Sequence, residues 1–151
     1  MAKNIYILSC TAGKAEGKMP VRDLYTGQLF VNGLHYARRH KADKILVIGG
    51  VCKSELFDLD DIVETYEGID VSRLHKAERL KLAKKRLSNI IAKGCSAEDD
   101  TFVFLTGQYY YEFILAGRPN ALPGALQHYK LPFLEQHLKG IGDINHLLRN
   151  N

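Results

Sequence analysis

The sequence predicts one α/β domain spanning residues 1–151, in which a small, mainly parallel sheet is flanked by helices in three layers. Three observations predict it. Short runs dense in branched and aromatic residues, at 5–8, 45–48 and 102–105, each end in small or polar residues, as buried strands do. Helical apolar spacing separates them. Phe30, Val31, Leu34 and Ala37 share one face of 28–40, and Leu74, Ala77, Leu80, Ala83, Leu87, Ile90 and Ile91 recur through 71–93. Finally, 151 residues that are 46% hydrophobic and 25% charged suit one core-forming domain and exclude a disordered chain.

Taken in order, the strand, helix, strand, helix, strand pattern implies parallel pairing through right-handed crossovers. After the third strand, 108–116 reads as a helix broken by the turn residues of 117–120. Another helix starts near Pro132, a residue tolerated in a first turn, and carries Phe133, Leu134 and Leu138. The chain pauses at 140–142, and Asp143 is placed to cap a last helix holding Ile144, Leu147 and Leu148.

The apolar run after Asn4 is too short for a signal peptide or a membrane span, so a cytoplasmic protein without membrane contact is expected. Cys10, Cys52 and Cys95 are odd in number and lack zinc-ligand spacing, which argues against a disulfide framework and against a metal. No cofactor and no obligate protein partner are expected. The net charge of +4 is mild but clustered, at Arg38, Arg39, His40, Lys41 and Lys44, and at Lys81, Lys84, Lys85 and Arg86. Such clusters neutralise phosphates in nucleic-acid-binding proteins, although from charge alone a solvated helix face is the favoured reading.

Ligands of open parallel sheets bind beyond the carboxyl ends of the strands, here at 9–27, 49–68 and 106–111. The first two loops are far longer than ordinary strand-to-helix connections, which marks them as functional. In the first, Cys10, Thr11, Lys14, Arg22, Asp23 and Tyr25 gather donors, cations and a carboxylate. A phosphate loop is strongly disfavoured, since the leading glycine is missing and Ala15 stands where Ser or Thr would hold magnesium. Asp23 reads equally as a functional acid and as a helix cap or partner of Arg22. Cys10 reads first as a buried thiol, and second as a nucleophile whose pKa is lowered by nearby helix N-termini.

In the second loop Gly49 and Gly50 allow close backbone approach, and Lys53 faces Asp58, Asp60, Asp61 and Glu64, with Tyr66 following. The acidic spacing does not fit a calcium loop. In the third, Gln108 is suited to read a base edge and an aromatic to stack on a base. Consecutive helical residues lie about 100° apart, so of Tyr109, Tyr110 and Tyr111 one stacks and two pack.

These elements together resemble a family of bacterial and phage proteins catalogued as a domain of unknown function, DUF6884. The resemblance rests on Ile7 to Cys10 with Lys14, on Arg22 to Gly27 with Leu29 and Phe30, on Asp58 to Asp61 with Glu64 to Tyr66, and on Phe104 to Gly107 with Tyr109 and Tyr110. The closing stretch from Leu131 to Leu148 is also similar. At 51–56 the chain departs from the family pattern, lacking its histidine and glycine, so no role of that histidine transfers. More distantly, the Ser9, Cys10, Lys14 and tyrosine signature is similar to the uracil-DNA-glycosylase-like catalytic core of archaeosine synthase.

That likeness implies an enzyme that grips a nucleobase. The leading expectation is a DNA glycosylase-like enzyme, a hydrolase that flips a modified base out of DNA and cleaves its N-glycosidic bond, with antiviral defence against phages with hypermodified genomes as its expected setting. Alternatives are a transferase or amidotransferase-like enzyme acting on a modified base in tRNA, and a noncatalytic base-binding module. On the leading reading Asp23, then Glu64, stabilises the oxocarbenium-like sugar and orients water. Cys10, Thr11, Lys14, Arg22, Tyr25, Lys53, Asp61, Tyr66, Gln108 and Tyr109 hold the substrate, modified DNA being the expected partner.

Overall fold

Alternation along the first strand explains the layering. β1 (Asn4–Ser9) sends Ile5 and Ile7 to one face of the sheet and Tyr6 and Leu8 to the other, and all four are buried. The chain is described by a computed structural model for residues 2–49, 56–68, 73–136 and 140–151. After β1 come β2 (Lys18–Pro20), α1 (Val21–Leu24), α2 (Gln28–Arg39), β3 (Lys44–Ile48), β4 (Leu56–Asp58) and β5 (Ile62–Glu64). The second half supplies α3 (Lys76–Ala92), β6 (Thr101–Leu105), β7 (His128–Lys130), α4 (Pro132–Glu135) and α5 (Ile141–Asn150).

Five strands form one sheet in the order β4-β3-β1-β6-β7, and β2 pairs antiparallel with β5 as a separate ribbon. β3, β1, β6 and β7 run parallel, whereas β4 runs antiparallel at one edge. Ile7 lies opposite Leu46 on one side and Phe104 on the other. The α3 face buries Ala83, Leu87 and Ile90 against Ile5, Ile7, Phe102 and Phe104. The opposite face buries Phe30, Leu34 and Ala37 of α2, with Leu148 of α5, against Tyr6, Leu8, Val47 and Val103.

The expected strands and the 28–40 helix are present with boundaries shifted by a residue or so. The helix expected over 71–93 is described from Lys76, where the His75 N–H donates to Glu78 Oε1 at 3.4 Å; residues 71 and 72 lie outside the described residues. The helix expected over 108–116 is a correction, because only Gln108–Tyr110 forms a short 3-10 turn. Beyond it Phe113, Ile114 and Leu115 are all buried, and the backbone bonds instead to a later segment: Leu122 N donates to Phe113 O and Leu126 N to Ile114 O, each at 2.8 Å. Asp143 is not a cap either. Gly140 holds that position and Asp143 sits inside the first turn of α5. Leu138 lies outside the described residues.

Arg39 and His40 of the first basic cluster fasten the carboxyl-terminal helix. Arg39 donates to Leu148 O, His40 Nε2 pairs with Asn151 O at 2.7 Å, and Asn32 donates to the buried Asn145 at 2.9 Å. Lys44 likewise caps α3 through Lys93 O. In the second cluster Lys81, Lys84 and Lys85 are exposed, but Arg86 points inward and is buried. No described helix is long and apolar enough to cross a membrane.

Candidate functional site

The neighbouring strands β1 and β6 hand the chain to opposite sides of the sheet, since β1 leads through α2 to β3 while β6 leads to β7. Their carboxyl ends therefore diverge and open a crevice, the position where open α/β sheets bind ligands. A cleft of about 590 Å³ lies there, lined by Cys10, Thr11, Lys14, Glu16, Tyr66, Glu67 and Tyr110 among others. It joins three segments that are far apart in sequence.

Backbone pairing sets each wall. Cys10 N donates to Ile48 O at 2.9 Å, continuing the β1–β3 pairing past the strand end. Residues 13–15 then run antiparallel to 24–26, through Ala15 N to Leu24 O and Thr26 N to Gly13 O, which turns Lys14 alongside Tyr25. The β2–β5 ribbon carries the third segment, extended by the Thr65 hydroxyl, which accepts from Gly17 N at 2.8 Å and donates to Ala15 O at 2.5 Å. Tyr66 and Glu67 follow directly. Thr11 is held down by its hydroxyl, which donates to Gly13 O and accepts from Gly27 N.

At the base of the cleft the tyrosines form a chain. Tyr66 donates to Gly49 O at 2.7 Å, so its oxygen accepts from Tyr25, 2.6 Å away. Tyr25 is 1% exposed, and burial pushes its phenol up to about 12, while burial raises Tyr66 further still. Both hydroxyls are therefore neutral donors at physiological pH. Lys14 Nζ stands 4.8 Å from the Tyr66 ring centroid, a cation–π contact that keeps the ammonium at the cleft wall.

The Cys10 thiol is pushed up by burial, which outweighs its side-chain interactions with Tyr110 and Tyr66 and the charge of Lys14. This corrects the lowered pKa expected of a strand-end nucleophile, because desolvation dominates at this position. Below the third wall, the buried Arg86 donates from Nη1 to the carbonyls of Tyr109 and Tyr110, at 3.4 and 3.3 Å, which fixes the turn that presents Tyr110.

The structure brings together Cys10, Thr11, Lys14 and Tyr66 of the residues expected at the site, with Tyr25 directly beneath. The expected carboxylates are elsewhere. The Asp23 side chain is 61% exposed and its carboxylate lies 4.0 Å from Arg22, while Arg22 itself pairs with Asp60. Glu64 is exposed on β5, opposite Lys18, and neither Asp23 nor Glu64 lines the cleft. Asp61 is an anchor of the β4–β5 turn, accepting from Asp58 N at 2.8 Å and sharing Lys93 Nζ with Asp58. The hydrogen bond from Lys93 to Asp58 raises the lysine pKa, as a structural ion cluster does.

Gln108 and Tyr109 line a different pocket, so Tyr110 is the third-loop aromatic of this cleft. Lys53 lies outside the described residues. Glu16 and Glu67 are the cleft acids that sequence reasoning did not single out. Their one signal was adjacency, Glu16 two residues after Lys14 and Glu67 next to Tyr66. Among the described residues no cluster of three or more His, Cys, Asp or Glu side chains is arranged to hold a metal ion.

Residues 5–138 match a family of unknown function, DUF6884. The chain belongs to that family. No curated protein and no solved structure matches it. Every cleft residue named above falls within the DUF6884 span, so the site is built wholly from the family domain.

The tyrosine chain gives this DUF6884 protein a defined alkaline limit. Because folding raises the Tyr25 pKa from 10.0 to about 12, its contribution to stability is complete below pH 10 and is lost as pH climbs toward 12. Unfolding free energy, followed by urea denaturation, falls across that window, and Tyr25→Phe makes the fall smaller. An equally steep fall in the variant contradicts the assignment.

Proposed function

We propose that the cleft takes a nucleobase turned out of a DNA strand and that the protein hydrolyses its N-glycosidic bond. One observation carries this reading: a single cleft at the β1 and β6 carboxyl ends combines two aromatic walls, Tyr66 and Tyr110, with the Lys14 ammonium and two carboxylates, Glu16 and Glu67. A flat base stacks on tyrosine regardless of its edge chemistry, which suits a modified base. The mainly parallel sheet with helices on both faces supports a uracil-DNA-glycosylase-like arrangement.

In this reaction the C1′–N bond breaks and its electron pair leaves with the base. Glu67, with Glu16 beside it in the lining, stabilises the cationic sugar and accepts the proton of the water that bonds to C1′. Lys14 stabilises the negative charge on the departing base, which is then protonated. Tyr66, whose proton is committed to Gly49 O, offers the base its ring without adding charge.

A second reading is group transfer to a modified base in tRNA, favoured by the presence of Cys10 in the same cleft. It ranks lower because the thiol is held protonated at rest. One assay separates the two. The protein is incubated with plain DNA, DNA carrying modified or glucosylated bases, and tRNA, and free bases and abasic sites are measured by mass spectrometry. Base release from modified DNA, retained in Cys10→Ala, is the expected result. Absence of release from every DNA, with base binding intact, overturns the glycosylase reading.

A further inference from the structure

Gln108 and Tyr109, displaced from the cleft, belong to a second cavity of about 240 Å³ together with Tyr111, Glu112, Phe113 and Arg118. Tyr109 and Tyr110 are neighbours in the chain, yet Tyr110 lines the cleft and Tyr109 the second cavity. The short 3-10 turn Gln108–Tyr110 thus presents one ring to each cavity.

The chemistry of the second cavity fits a nucleotide as well. Arg79 pairs with Glu112 at 3.0 Å and lies 5.5 Å from the centroid of Tyr109, so the Glu112 carboxylate in the lining is neutralised and the stacking ring is braced. Arg118 lies 6.0 Å from the centroid of Tyr111 and, among the described residues, has no ion-pair partner. Gln108 is exposed at the rim and offers both a donor and an acceptor. Two of the three described non-glycine residues with positive φ are in this wall, Phe113 at 70° and Asn120 at 61°. A left-handed phenylalanine is costly, and such strain gathers at ligand sites.

We propose that this cavity is a flanking subsite for single-stranded nucleic acid, in which the nucleotide next to the one in the cleft stacks its base on Tyr109 and sets its phosphate against Arg118. The inference rests on the nucleobase reading of the cleft and deepens it. It assigns strand recognition to the segment after β6, apart from the groups that act on the bond.

Fluorescence anisotropy with a short labelled thymidine oligonucleotide and with the labelled mononucleotide tests it. Tyr109→Ala weakens oligonucleotide binding about 10-fold, Tyr109→Phe retains it, and Arg118→Gln reduces the slope of log affinity against log salt by about one. Neither Tyr109→Ala nor Arg118→Gln changes mononucleotide binding. Wild-type affinity of both variants for the oligonucleotide, or no oligonucleotide binding by the wild-type protein, overturns the proposal. Oligonucleotide binding that depends on Tyr109, in a protein that releases no base, sinks the glycosylase reading and leaves the strand subsite standing. Base release from oligonucleotides that is indifferent to both substitutions sinks the subsite alone.

Discussion

Glu67→Gln lowers the rate of base release by about 100-fold or more, while Asp23→Asn leaves it unchanged. The first substitution keeps the size of the side chain and removes only its charge. In the cleft that charge faces the same space as Lys14 and the ring of Tyr66, where the sugar becomes cationic as the bond opens. The second removes a charge that is 61% exposed and paired at 4.0 Å with Arg22. Single-turnover assays on modified DNA, read by mass spectrometry, measure both, with Glu16→Gln as the intermediate case. Thermal unfolding should be unaltered in all three, because each acid is exposed. A large loss in Asp23→Asn with none in Glu67→Gln reverses the assignment of the carboxylate.

Gly27→Ala destabilises the protein by about 2 to 4 kcal/mol, the sum expected for forced overpacking and a lost hydrogen bond. A Cβ at this position would stand 2.6 Å from Thr11 Cβ and 2.7 Å from its hydroxyl oxygen. The nearest obstacle is the stem of the side chain, so a rotamer change gives no relief and the loop itself must move. That movement also breaks the Gly27 N to Thr11 Oγ1 bond, which ties the cleft wall to the start of α2. Urea denaturation of the single variants and of Gly27→Ala with Thr11→Gly gives a double-mutant cycle. The double variant recovers most of the loss; a Gly27→Ala protein as stable as the wild type contradicts the contact.

The central strands and the two longer helices were legible because burial on both faces writes dense apolar runs at 5–8, 45–48 and 102–105, and a helix packed on one side writes a 3.6-residue period. The β2–β5 ribbon, β4 and β7 were not, since strands of three residues carry no period and exist through partners distant in sequence. Residues 113–115 misled for the opposite reason, three consecutive buried side chains being compatible with a buried helix as well as with the irregular path they take.

At the site, Cys10, Thr11 and Lys14 were legible from their place after the first strand. The acids were not. Asp23, Asp61, Glu64 and Glu67 are equivalent in a list of loop carboxylates. Their partners separate them: distant Lys93 claims Asp61, neighbouring Arg22 approaches Asp23, and the Thr65 bonds to residues 15 and 17 deliver Glu67 to the cleft. Tyr110 was hidden for a related reason, since its presentation depends on Arg86, which a charge count places among solvated lysines.

The central position of β1 has a consequence for biosynthesis. A nascent chain that has paired β1 with β3 still carries an open edge on the other side of β1, and the strand that closes it, β6, is synthesised only after α3. Parallel pairing over such a separation is slow, and an unpaired apolar edge invites association with other chains. Of the two seams of β1, the one with β6 closes last, so the cleft at its end comes into being only once β6 is in place. Any chaperone dependence of this protein should therefore fall on the interval between the appearance of α3 and that of β6, before the molecule has a site at all.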